Sequence, residues 1–128
     1  MINHDWNYTY FDRAIKESKK STHHSFQMGA VIVNKGKIMS CGHNQLKTHP
    51  LSMHKYKQIH AEFHALISFK GESVARYDIY VARVNGNNEY VLAKPCVSCM
   101  NMIMTSELNR LYYTTDTGYE CIDIRSNK

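Results

Sequence analysis

Two short stretches hold residue types that can do chemistry at useful spacings: His60 and Glu62 in IHAEFHAL (59–66), and Cys96 and Cys99 in PCVSC (95–99). Positions two apart on a regular helix point in quite different directions, so His60 and Glu62 can share a site only at a helix tip. Two cysteines three apart can converge from the first turn of a helix, where backbone N–H groups and the positive end of the dipole favour thiolate. One imidazole and two thiolates suit zinc, with the fourth tetrahedral position open to water. That ligand set is formally neutral once zinc is counted, so it acidifies water less than a three-histidine site does. A carboxylate beside the metal then has a task, and Glu62 is read as the group that moves protons to and from the water. H-x-E alone and C-x-x-C alone are weak signals. Their order, each opening a predicted helix with one strand between them, carries the assignment.

The elements that must position these residues follow from periodicity. YTYFDRAIKESKKS (8–21) places Tyr8, Phe11, Ala14, Ile15 and Ser18 at helical spacing. Residues 27–44 predict two strands around Asn34-Lys35-Gly36, a hairpin whose glycine supplies a positive φ. Residues 45–58 are polar, contain a proline and read as a long loop, a kind of segment that is often functional. A helix is predicted from Ile59 to Phe69, stopped at Gly71, then a strand over 77–85 and a hairpin extension or loop over 86–94. A second helix is predicted from Pro95 to Glu107, on the tolerance for proline at the first helical position. Strands follow at 110–115 and 119–124, joined by a turn at Asp116-Thr117-Gly118. The strand–helix–strand stretch demands a crossover and parallel pairing, while the first and last strand pairs are antiparallel. The expected fold is therefore one α/β domain over residues 1–128: a three-layer α/β/α sandwich around a five-stranded mixed sheet.

At 128 residues, 43% hydrophobic and 21% charged, the chain has the composition of an ordinary globular domain. Its apolar runs, such as AVIV at 30–33, are far too short to span a membrane. The first residues carry acids and no apolar core, so a cytoplasmic protein is expected, and metal binding suits the four cysteines better than disulfides. Residues 1–70 hold ten Lys/Arg against four acids, and residues 71–128 hold six against seven. All eight histidines fall within residues 1–64. A basic half suits an anionic partner, either a phosphate-bearing small molecule or nucleic acid. Lys47, Thr48 and His49, in the loop after Asn44, are candidates to hold a phosphate. Cys41 and Cys121 read as buried strand residues, His23 and His24 as surface, and Met100, Met102 and Met104 as packing. Phe26, Tyr113 and Tyr119 read as core before pocket walls.

With GAVIV, GHN, HAE and KPCVSC in this order, the chain resembles the zinc-dependent cytidine/deoxycytidylate deaminase superfamily, and within it the deoxycytidylate-deaminase-like branch. The resemblance covers most of the chain. It implies a cytidine-deaminase-like fold, zinc held by His60, Cys96 and Cys99, and Glu62 as proton shuttle. It also implies that Asn44 hydrogen-bonds the sugar or base and that the backbone of Ala61 contacts the pyrimidine. The chemistry implied is attack of zinc-bound hydroxide on carbon 4 of cytosine, protonation of the ring nitrogen and loss of ammonia, with dCMP the expected substrate. Cytosine or adenine within single-stranded DNA or RNA is the alternative, and a zinc-stapled binding module without catalysis is a third reading. A homo-oligomer is compatible with all three. The chain reads GHNQ where that branch often reads GYNG. Its last two strands are joined by a turn, as in the nucleoside cytidine deaminases, which usually carry Cys at the position of His60.

Overall fold

The structure, a computed structural model, describes residues 5–22, 26–45, 60–71 and 73–125. In chain order it contains α1 (Trp6–Ser18), β1 (Met28–Asn34), β2 (Lys37–His43), α2 (Ala61–Ser68), β3 (Asp78–Arg83), α3 (Val97–Thr105), β4 (Arg110–Thr115) and β5 (Gly118–Asp123). The five strands form one mixed sheet in the order β2-β1-β3-β4-β5. Only β3 and β4, the pair joined through α3, run parallel; the hairpins β1–β2 and β4–β5 and the β1–β3 pair are antiparallel. The expected sandwich and its mixed sheet are present.

Alternation along the strands sends side chains to two separate cores. Val31, Val33, Tyr80, Ala82 and Tyr112 pack on one face against Phe11 and Ala14 of α1. Ala30, Ile32, Ile79, Val81, Leu111 and Tyr113 face the other way, onto Ala61 and Ala65 of α2 and Ile103 of α3. This is why β1 can be apolar at nearly every position: both its faces are covered.

Several element boundaries differ from the sequence expectation. The first helix begins at Trp6 because the Asp5 carboxylate accepts from the Asn7 N–H at 2.9 Å and caps it. The second starts at Ala61 and ends at Ser68; Phe69 is already extended, its ring packed against Tyr77 at 5.0 Å, so Gly71 is not the stop. The third was expected from Pro95 to Glu107 but spans Val97–Thr105. At its start, the Ala93 N–H donates to the Thr114 carbonyl at 2.9 Å and holds the chain extended along β4. At its end, Ser106 is extended and turns its hydroxyl onto the Ile103 carbonyl. The 86–94 segment forms no strand of its own; it meets the sheet at the Val84–Tyr90 bridge and through backbone bonds from Val91 to Arg83 and from Ala93 to Thr114. The first hairpin turns through Lys35 and Gly36, both at positive φ, which fits a two-residue turn of the primed type.

One close approach positions the site. A Cβ on Gly42 would strike the Ala61 carbonyl oxygen and the Ala65 backbone nitrogen, so α2 lies directly on the backbone of β2. Gly42→Ala is expected to cost about 3 kcal/mol, as overpacking against backbone does. The same substitution should weaken metal binding, because it pushes the start of α2 off the sheet. Urea unfolding of the variant measures the cost, and an unchanged midpoint would rule out this packing.

Candidate metal centre

His60 and Cys96 each sit immediately before a helix, with extended backbones (φ −82°, ψ 154° and φ −66°, ψ 170°), and neither side chain caps its own helix. That local geometry resolves the spacing problem in H-x-E. His60 is not on the helix but at its lip, so its ring and the Glu62 side chain reach one site from positions two apart. Cys99 projects from the first turn of α3 and is fully buried, while Cys96 is exposed.

The three side chains converge. Both sulfurs lie 3.5 Å from His60 Nδ1, and all three ligand atoms lie within 4.8 Å of one another. A tetrahedral zinc with sulfur at about 2.3 Å and nitrogen at about 2.0–2.1 Å sets those atoms about 3.6 Å apart, so the spacing fits the ion. Among the described residues this is the one group of His, Cys and acidic side chains so arranged. Two helix N-termini open onto it, and their dipoles favour thiolate there.

Glu62 is buried, and its Oε1 has no hydrogen-bond partner among the described residues. Burial pushes its carboxyl up to about 7, against the opposing pull of its own backbone N–H and the Cys99 thiol. Burial also drives the Cys99 thiol well above its ordinary range, with Glu62 and Cys96 adding to the rise. Three groups that would all be anions are thus crowded into one place out of water. A divalent cation offsets that crowding and restores the thiolates.

Glu62, His60 and Cys96 also line a pocket of about 370 Å³, whose other walls are Phe26, Met28, Asn44 and Lys94. A pocket of that size holds a small molecule. Asn44, just past β2, is buried and serves as a clasp. Its Oδ1 accepts from the Met28 N–H at 2.9 Å and its Nδ2 donates to the Phe26 carbonyl at 2.6 Å, so it ties together two of the pocket's walls. Ala61 is buried as the first residue of α2, where the backbone N–H has no intrahelical acceptor. Lys47, Thr48 and His49, with His23 and His24, lie outside the described residues.

Sequence reasoning missed two walls of the pocket, Met28 and Lys94, and ranked a third, Phe26, as core before pocket wall. Phe26 is 39% exposed and lines the pocket, the second of its two expected places, with the Arg83 guanidinium 4.0 Å from its ring centre. Met28 looked like one more strand residue, and only its place at the open end of the hairpin could have marked it. Lys94 was visible as the residue before P-C-x-x-C. Tyr113 is core, as expected, and Tyr119 packs with Phe11 on the opposite side of the sheet. Cys121 was expected to be buried but is exposed on β5, and Cys41 is half-buried, since both lie on edge strands.

A family model described as the cytidine and deoxycytidylate deaminase zinc-binding region matches residues 4–115. The chain belongs to this deaminase family. Its His/Cys/Cys group and the family's zinc-binding region together assign zinc as the cofactor. No curated protein matches the chain in sequence. Among solved structures, dCMP deaminase from the cyanophage S-TIM5 in apo form is 20% identical with a TM-score of 0.63, over 88% of this chain and 84% of that one. The same enzyme in complex with dCMP and dUMP aligns at a TM-score of 0.62 and 20% identity, over 88% of this chain and 83% of that one. Cytidine deaminase from Burkholderia pseudomallei is 17% identical with a TM-score of 0.68, over 98% of this chain and 95% of that one. At these identities the likeness is one of fold. Among the described residues, no helix is long and apolar enough to cross a membrane.

Proposed function

We propose that this deaminase-family protein hydrolyses the amino group of a free cytosine nucleotide, converting dCMP to dUMP with release of ammonia, through one domain spanning residues 1–128. The observation that supports this reading is a single arrangement. His60, Cys96 and Cys99 converge at the spacing of a zinc tetrahedron, and a buried carboxylate oxygen with no partner among the described residues borders the same pocket. When bound, zinc supplies a Lewis acid that makes water a nucleophile near neutral pH. Glu62 takes a proton from water and delivers it to the ring nitrogen beside carbon 4, and a second transfer lets the amino group leave as ammonia. Asn44 keeps the Phe26 wall in place and offers its remaining amide hydrogen to the sugar or base, and the Ala61 N–H offers a donor to the pyrimidine carbonyl.

Two features favour a nucleotide over a nucleoside. The first 70 residues carry a large excess of positive charge. The pocket lining adds one cationic side chain, Lys94. A non-catalytic zinc module has no use for a buried carboxylate with one oxygen left without a hydrogen-bond partner among the described residues, since such a group costs stability.

Ammonia release from cytidine, CMP, dCMP, dCTP and single-stranded DNA tests the reading, and dCMP is expected to turn over fastest. A protein silent on the monomers but active on single-stranded DNA would overturn it. The basic half would then be a strand-binding surface, with affinity falling steeply as salt rises.

A further inference from the structure

We propose that Lys94 is the specificity-determining residue of the pocket, contacting the phosphate of the substrate and so separating nucleotide from nucleoside; this rests on the cytosine-nucleotide reading. Lys94 is the one Lys or Arg among the residues that line the pocket, and it is exposed at its edge. Among the described residues, no carboxylate lies within ion-pair distance of its ammonium group. The neighbouring cation, Arg83, is already seated against the Phe26 ring at 4.0 Å and holds that wall.

Charge balance makes Lys94 decisive. Zinc with two thiolates and a neutral imidazole carries no net charge, and Glu62 is an acid. Among the described residues that line the pocket, Lys94 is then the one cationic side chain that a phosphate can meet. Through Lys94, the edge of the pocket offers a charge-assisted donor.

The backbone around Lys94 is held firmly, although its side chain is long. The Val91 N–H donates to the Arg83 carbonyl at 3.1 Å, the Thr114 hydroxyl to the Val91 carbonyl at 2.8 Å, and the Ala93 N–H to the Thr114 carbonyl at 2.9 Å. Pro95 follows, is buried, and confines Lys94 to extended backbone. Cys96 comes next, so the ammonium group is tethered two residues from a metal ligand. Its reach is measured from a point fixed relative to the reacting centre.

The test compares wild type with Lys94→Met, which keeps the aliphatic stem, and Lys94→Arg, which keeps the charge. Steady-state kinetics on dCMP and deoxycytidine are read beside the dissociation constants of dUMP and deoxyuridine. In Lys94→Met, the dCMP to deoxycytidine ratio of kcat/KM is expected to fall about tenfold or more, through KM. The affinity for dUMP should fall by a similar factor, and Lys94→Arg should recover part of both. Equal losses on both substrates, or unchanged dUMP binding, would overturn the proposal. So would a Lys47→Met variant that carries the whole loss while Lys94→Met is silent. If wild type deaminates no cytosine compound, the proposed function fails. A selective loss of dUMP affinity in Lys94→Met would even then support the phosphate contact.

Discussion

Glu62→Gln is expected to lose about a hundred- to ten-thousandfold in kcat while keeping zinc and fold. The carboxylate sits where it can only be a liability to stability. It is fully buried, its Oε1 lacks a hydrogen-bond partner among the described residues, and it stands beside Cys99. Glutamine preserves the shape and removes both the desolvated charge and the ability to accept a proton. The melting temperature of the variant should therefore equal or exceed that of wild type, even as turnover collapses. Loss of rate with gain or retention of stability is the signature of a group kept for function. Single-turnover kinetics, metal analysis and thermal unfolding of the same preparation check all three parts. A variant that retains most of its rate would remove Glu62 from the chemistry. A variant that loses zinc would make it a ligand.

The legibility of these features in the sequence followed the range of the forces involved. Strand alternation and helical periodicity are local, and all eight elements stand in their expected order. The convergence of His60, Cys96 and Cys99 was legible because ligand chemistry restricts the choice of residues so severely. Helix ends were less legible, since tertiary contacts decide them: the Ala93–Thr114 bond delays α3, and Phe69 leaves α2 early to pack on Tyr77. The pocket walls were the least legible. Nothing in the types of Phe26 or Met28 separates a wall from a core residue, and what places them is the clasp that Asn44 throws across the end of the hairpin. Glu17 was hidden in the same way. It is a helix acid that proves buried, paired with His43 at 2.8 Å and Lys20 at 3.2 Å.

Cys96→Ser and Cys99→Ser are each expected to lose most of their zinc, with content falling from about one ion per chain in wild type. Serine nearly preserves the shape but is a far weaker ligand for zinc than thiolate. The two should differ in their unfolding. Cys96 is exposed at the start of α3, so its replacement removes a ligand and little else. Cys99 is buried among Glu62 and the first turn of α3, so serine there also leaves a hydroxyl out of water, at a cost of about 1–3 kcal/mol. Metal that binds only the folded chain stabilises it by about 1.4 kcal/mol for each tenfold excess of free zinc over its dissociation constant. A chelator should therefore lower the melting temperature of wild type sharply and leave that of Cys96→Ser nearly unmoved. In the metal-free proteins, Cys99→Ser should melt below Cys96→Ser. Undiminished zinc in both variants would mean that the ion is held elsewhere. An equal chelator shift in wild type and Cys96→Ser would mean that the sulfur at the lip of α3 contributes nothing to holding it.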